Sequence, residues 1–263
     1  MNTNGPICLF DSGIGGLTVL KKLANAFPNE NYIYLADLAR VPFGDKSKEE
    51  LTNIVNEIIS WLEKFNPKAI ITACNTSAAL LQQSALSSQL SALISIIDPV
   101  AKEIASSNYK EVTVWATKFT IENNAYKKAI NKLNPNIKVQ EISCPKLVPM
   151  IENLECSIEE KTKIISEYME QISPSSDALI YGCTHYPHID EMVKKQRNIV
   201  TIDPADAVVK EIFARDVARN VSTGRTPSIS LYTTAQKEKL ERFAKLYLCG
   251  DYKVGLVTLK ALV

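Results

Sequence analysis

Residues 68–76 read KAIITACNT and residues 177–185 read DALIYGCTH. Each is a short apolar run that ends in a small residue, a cysteine and then side chains bearing amide or hydroxyl groups. Apolar on both faces and bounded by polar residues, each run reads as a buried strand of a parallel sheet. A helix-compatible segment follows each one. The repetition predicts two related half-domains. Each delivers a cysteine, Cys74 or Cys183, to the carboxyl end of a strand, the edge of an open α/β sheet where ligands bind.

The pattern extends in both directions. Besides Ala69–Thr72 and Ala178–Tyr181, the segments Ile7–Phe10, Asn31–Leu35, Ser95–Ile97, Val112–Trp115, Lys138–Ile142 and Ile199–Ile202 read as buried strands. Between them, Leu17–Ala26, Lys48–Phe65, Thr120–Leu133 and Ile158–Gln171 carry apolar residues at helical spacing. Ser47 with Glu50, and Ser157 with Glu160, have the spacing of a capping box at a helix start. Strands alternating with helices predict an α/β fold.

Composition narrows the function. The chain has 263 residues, room for one large domain or two compact ones. Thirty Lys+Arg against 29 Asp+Glu leave almost no net charge, which argues against a nucleic-acid partner. No apolar run is long enough to span a bilayer, so no membrane role is expected. Met1–Pro6 has neither a basic n-region nor a small-residue cleavage site, so no signal peptide is expected. The six cysteines are scattered, with no CxxC pair, and there are only two histidines. A disulfide scaffold and a tetrahedral metal site are both poorly supported, and buried, reduced thiols are the default.

Residues 10–20, FDSGIGGLTVL, follow the first strand. Gly13, Gly15 and Gly16 allow a tight turn and a close approach of backbone to ligand. The GxGG spacing is not the GxGxxG of a dinucleotide loop, and Asp37 is a weak candidate for a ribose ligand. Asp11 and Ser12 read as polar groups delivered to the cleft, although Asp11 also suits a helix cap. His185, two residues beyond Cys183, could donate a proton or raise the thiolate fraction of its neighbour. His188 reads as the surface of a helix start, and residues 36–46 as a loop.

Two cysteines at equivalent points of two halves face one another when the halves close on a cleft. That suits a reaction with proton carriers on opposite faces of one carbon: a thiolate removes a proton and the opposing thiol donates one, inverting a stereocentre. A thiol ionises near neutral pH and responds readily to its surroundings. Backbone N–H groups at a strand-to-helix turn favour the thiolate and can bind a substrate carboxylate.

Five segments together resemble the glutamate racemase family of the aspartate/glutamate racemase superfamily: FDSGIGGLTVL at 10–20, ARVPFG at 39–44, ACNTSAA at 73–79, CPKLVPMIE at 144–152 and GCTHYPH at 182–188. They occur in the family order and cover the chain nearly end to end. The resemblance implies two similar α/β domains related by a pseudo-twofold axis, residues 1–97 with 207–263 and residues 98–206, with the active site in the cleft between them. It implies a two-base racemase without pyridoxal phosphate, other cofactor or metal. Cys74 would act on D-glutamate with help from Asp11, and Cys183 on L-glutamate with help from Glu152 and His185. Asp11, Ser12, Pro42, Phe43, Gly44, Asn75, Thr76, Thr117, Thr184 and His185 would contact substrate. It further implies a cytoplasmic enzyme, commonly a homodimer, that supplies D-glutamate for peptidoglycan and has a small molecule as its partner.

The chain departs from the family in having Leu38 for a threonine, Phe43 for a tyrosine, and IDPAD at 202–206. Aspartate racemase is the nearest rival, with Glu152 and the full GCTHYPH favouring glutamate. A silent binding protein for a small acid would need neither cysteine. A redox protein joining Cys74 to Cys183 would lose free thiols on mild oxidation.

Overall fold

The computed structural model describes residues 5–84, 92–218 and 227–259. The signal-sequence reading of residues 1–4, and the parts of the first-domain span at 85–91, 219–226 and 260–263, lie outside the described residues. The chain alternates strands and helices: β1 Ile7–Asp11, α1 Leu17–Ala26, β2 Tyr32–Ala36, α2 Lys48–Glu63, β3 Ala69–Thr72, α3 Asn75–Leu81, β4 Leu93–Ser95 and α4 Ile97–Ala105. It continues through β5 Glu111–Ala116, α5 Lys118–Glu122, α6 Ala125–Leu133, β6 Lys138–Ser143, α7 Leu147–Glu152, α8 Ile158–Met169, β7 Ala178–Gly182, α9 Asp190–Gln196 and β8 Val200–Ile202. It ends with α10 Pro204–Ala214, β9 Ile229–Thr233, α11 Lys237–Tyr247 and β10 Tyr252–Leu256.

Two parallel sheets result. The first has six strands in the order β10-β9-β2-β1-β3-β4, and the second has four in the order β6-β5-β7-β8. The central order of the first, 2-1-3-4, is that of the second displaced by four strands. β1 therefore corresponds to β5, and β3 to β7. This is the repeat glimpsed in KAIITACNT and DALIYGCTH. β9 and β10 return to the first sheet, where Ser230 pairs with Ile33 and Lys253 with Ser230.

β1, β2, β3 and β7 are buried at every residue, as expected of strands covered on both faces. In the second sheet, side-chain alternation sorts the core. Val112, Val114 and Ile180 join a cluster continuous with Ile7, Leu9 and Ile58 of the first sheet. Trp115, Leu179 and Tyr181 face the opposite way, onto Ile165 of α8 and Leu147 of α7. One apolar interior thus connects the two halves.

Local signals explain most helix starts. Ser47 and Glu50 form a reciprocal capping box on α2, and the Ser157 hydroxyl accepts from the Glu160 N–H at 3.1 Å on α8. The IDPAD departure is a helix start as well: Asp203 caps α10 through the Ala205 N–H at 3.0 Å. Pro204 occupies the first turn, where its missing N–H costs nothing. Lys22 of α1 bridges Asp203 and Asp206 at 2.8 and 2.7 Å.

Several expectations need correction. Ser95–Ile97 is not a strand: β4 ends at Ser95, and Ile97 opens α4, whose early Pro99 suits a helix start. Thr120–Leu133 is two helices, because Asn124 takes a left-handed conformation (φ 50°) and breaks the run between α5 and α6. α2 and α8 stop two residues short of their expected ends, at Glu63 and Met169. Asp11 is not the cap of α1, whose cap position is Gly16, with no side-chain bond. His188, by contrast, is exposed at a helix start as expected, in a 3₁₀ turn, Tyr186–Ile189, that leads into α9, with its ring stacked on Tyr247.

Candidate active site

The carboxyl ends of β1, β3, β5 and β7 converge on a cavity of about 430 Å³. Asp11, Ser12, Pro42, Phe43, Gly44, Cys74, Asn75, Thr76, Thr117, Glu152, Cys183, Thr184 and His185 all line it. The structure therefore brings every residue that the family resemblance marks as catalytic or substrate-binding to one place, whereas Asp37, the weak ribose candidate, is buried away from the cavity against Arg40 and Thr234. In each half the site lies beyond the strand pair at which the order reverses, β1/β3 and β5/β7, the topological switch point of an open sheet.

The two halves approach closely through glycine. A Cβ on Gly15 would lie 2.2 Å from Thr184 Oγ1 and 2.6 Å from His185 Nδ1, and one on Gly16 would lie 2.7 Å from Asp11 Cβ. No larger residue leaves room for the Cys183 loop against the start of α1. Thr18 Oγ1 donates to the Thr184 carbonyl at 3.3 Å, and Thr184 Oγ1 donates to Asp11 Oδ2 at 3.3 Å. On the other flank, the Thr76 and Thr117 hydroxyls are 3.0 Å apart.

Cys74 is the cap residue of α3, directly beyond β3. Its thiol is 5% exposed and lies 3.7 Å from Ser12 Oγ. Burial, reinforced by the negative charge of Asp11, pushes it up to about 11. Asp11 itself is 1% exposed and accepts from the Gly13 N–H at 2.8 Å. Its burial raises its own carboxyl above the usual range, in spite of the opposing His185 charge and these hydrogen bonds.

Cys183 has different neighbours. Its sulfur is 3.8 Å from His185 Nδ1, and His185 Nε2 is 3.0 Å from Glu152 Oε1. Burial alone would lower the imidazole, but hydrogen bonds to Cys183 and Glu152 outweigh it and raise His185 to about 10. Burial likewise opposes ionisation of Glu152, yet hydrogen bonds from His185 and Lys239 bring it down to about 2. At neutral pH this side holds an imidazolium between the Cys183 sulfur and a carboxylate.

Asn75 carries an orphan donor. Tyr126 OH donates to its Oδ1 at 2.6 Å, and its buried Nδ2 has no partner among the described residues. A buried amide N–H without an acceptor is costly, and a ligand oxygen in the cavity would satisfy it. The departures Leu38 and Phe43, both 2% exposed, add apolar wall to the cavity.

Sequence reasoning missed two notable lining residues. Lys239, on α11, donates to Glu152 Oε2 at 2.7 Å. Within KEKLERFAKLY it is one of several lysines of an amphipathic helix, and nothing in the pattern marks it. Cys144 also lines the cavity, and its thiol is pushed up by burial and by the neighbouring Cys183. All six cysteines are free thiols. Among the described residues no cluster of three or more His, Cys, Asp or Glu could hold a metal ion. No helix there is long and apolar enough to cross a membrane.

Known proteins place this geometry. The family model described as Asp/Glu/Hydantoin racemase matches residues 15–212. Glutamate racemase from Trichodesmium erythraeum is 35% identical over 262 residues, spanning 98% of this chain and 96% of its own. The crystal structure of a glutamate racemase isoform from Bacillus anthracis superposes with a TM-score of 0.90 at 30% identity, covering 98% and 99% of the two chains. That of glutamate racemase from Francisella tularensis, in complex with D-glutamate, gives 0.87 at 32% identity and covers 99% and 100%. With the two-sheet fold and the paired cysteines, these matches make the chain a member of the Asp/Glu/hydantoin racemase family, an isomerase among its glutamate racemases.

Proposed function

We propose that this isomerase interconverts L- and D-glutamate with Cys74 and Cys183 as the two acid–base groups, using neither pyridoxal phosphate nor metal. The observation that carries the reading is that equivalent cysteines, one after β3 and one after β7, line a single cavity, each with its own ionisable partner. The Cys183 thiolate takes the α-proton of L-glutamate, and the Cys74 thiol delivers its proton to the opposite face. D-glutamate reacts in the reverse sense. The product leaves Cys74 as thiolate and Cys183 as thiol, and proton exchange with solvent resets the pair.

The physical difficulty is the weak acidity of the α-carbon. Donors arranged around the substrate carboxylates stabilise the charge that develops. The Asn75 amide and the Ser12, Thr76, Thr117 and Thr184 hydroxyls are the groups in position. His185, as imidazolium, stabilises the Cys183 thiolate, and Glu152 holds the ring. The start of α3 gives a modest bias toward thiolate at Cys74. The two bases then belong to two domains, residues 1–97 with 207–263 and residues 98–206, and their closure excludes water. In a bacterial cytoplasm the D-glutamate would serve peptidoglycan synthesis.

The test is incubation of the cofactor-free protein with L-glutamate in D₂O, following α-hydrogen exchange and D-glutamate together. The expected result is α-deuterated D-glutamate from the parent. Cys74→Ala and Cys183→Ala should each lose racemisation by about 10³-fold or more, the scale of positioned acid–base groups. Exchange with aspartate but not glutamate would keep the chemistry and change the substrate. No exchange with any amino acid by folded, reduced protein would overturn the reading.

A further inference from the structure

Lys239 belongs to the first half of the molecule, on the helix joining β9 to β10. Glu152 closes α7, which follows β6 of the second half. The two side chains meet at the cavity. Lys237 and Glu241 of the same helix form an ordinary helix-surface pair, 3.5 Å apart at i,i+4, each about two-fifths exposed. Lys239 instead leans across the junction between the halves.

The Glu152 carboxylate divides its two oxygens between different tasks. Oε1 meets His185 Nε2 at 3.0 Å, and Oε2 meets Lys239 Nζ at 2.7 Å. A carboxylate anchored at both oxygens cannot swing without breaking one bond. Released from Lys239, a glutamate at the last residue of a short helix would recover rotamer freedom, and the His185 ring would lose its fixed acceptor. A second contact anchors the same helix to the same side: Tyr247, its last residue, stacks on His188 with centroids 4.6 Å apart and planes at 15°. α11 therefore touches the Cys183 side at both ends, and its charge is absent from the groups that shift Cys74.

We infer that Lys239 is a positioning residue for the Cys183 half-reaction, fixing Glu152 so that His185 stays aligned on the Cys183 sulfur. This rests on the two-thiol mechanism proposed for the site. The depressed Glu152 carboxyl agrees with it, since the Lys239 hydrogen bond contributes to that depression.

The test uses single-thiol variants, which restrict proton removal to one face. In D₂O, Cys74→Ala exchanges the α-hydrogen of L-glutamate through Cys183, and Cys183→Ala exchanges that of D-glutamate through Cys74. Adding Lys239→Met should slow the first exchange about tenfold or more, the cost of modest misalignment of a reacting group. The second exchange should slow at least five times less. Lys239→Arg, which keeps the charge and the donors, should recover most of the lost rate. Equal slowing of both exchanges would make Lys239 merely structural, and no slowing of the L-exchange would remove its role, so either result overturns the inference. If neither single-thiol variant exchanges its substrate, the two-thiol mechanism itself fails and takes the inference with it.

Discussion

The Cys74 and Cys183 sides of the cavity are built on matching strands yet furnished oppositely. Cys74 is flanked by a buried carboxyl and a serine, with no cation in hydrogen-bond reach among the described residues. Cys183 faces a relay of histidine, glutamate and lysine. The repeated backbone supplies two equivalent positions, and the side chains then set one thiol toward its protonated form and surround the other with an imidazolium. L- and D-glutamate have equal free energy in an achiral solvent, so kcat/KM must be the same in both directions at every pH. The asymmetry can appear only in kcat and KM separately, with the lower-energy protonation state of the pair favouring capture of one enantiomer. Symmetric thermodynamics does not require a symmetric site.

Beyond the cysteines themselves, the largest expected effect tests the richer side. His185→Asn should lower kcat/KM about a hundredfold, the lower end for a group that acts on a proton in flight. A change under threefold, measured in both directions, would reduce the relay to packing.

Next comes the pH profile. His185 is held protonated up to about 10 by Cys183 and Glu152, against burial. The imidazolium is present at neutral pH and is lost as pH rises through that value. In Glu152→Gln the carboxylate's pull is gone and burial weighs more, so the alkaline limb of kcat/KM should move to lower pH by about one unit, or 1.4 kcal/mol. A limb that stays in place would assign it to Cys74 instead.

The smallest effect probes the other side. Cys74 is raised by burial first and by Asp11 second. Asp11→Asn removes only the second, so iodoacetamide should alkylate Cys74 up to about tenfold faster at pH 8–9, through a larger thiolate fraction. Cys183 labelling should be much less altered. Unchanged Cys74 labelling would mean that Asp11 is itself protonated, consistent with its own raised carboxyl, and the two sides would then differ only in the relay.

Much of this site is legible in the chain because strand ends are easy to read. Uninterrupted apolar runs mark β1, β3 and β7, and the polar residues just beyond each run are delivered to the same edge. The half-buried strands leave no such signal. β9 (ISLYT) and β10 (YKVGL) mix polar and apolar residues, since they lie toward one edge of the first sheet. The break between α5 and α6 had a local cue in Asn123–Asn124, which the continuous helical period masks. Lys239 was illegible for a deeper reason. Its role depends on which face of α11 meets the far half of the molecule, and that is settled by tertiary packing.

The threading of the first sheet has a consequence for how the chain is made. β2 pairs with β1 on one side and with β9 on the other, and the β9 residues lie 197 positions further along. On a ribosome, the β1–β4 sheet and the whole second half emerge while β2 remains an open, apolar edge, a template for pairing with another chain. Contacts so distant in sequence also form slowly. The segment that covers that edge leads directly into the helix bearing Lys239. The sheet is sealed and Lys239 reaches the cavity in one late event, so a chain interrupted before that point would be at once sticky and incomplete at its active site.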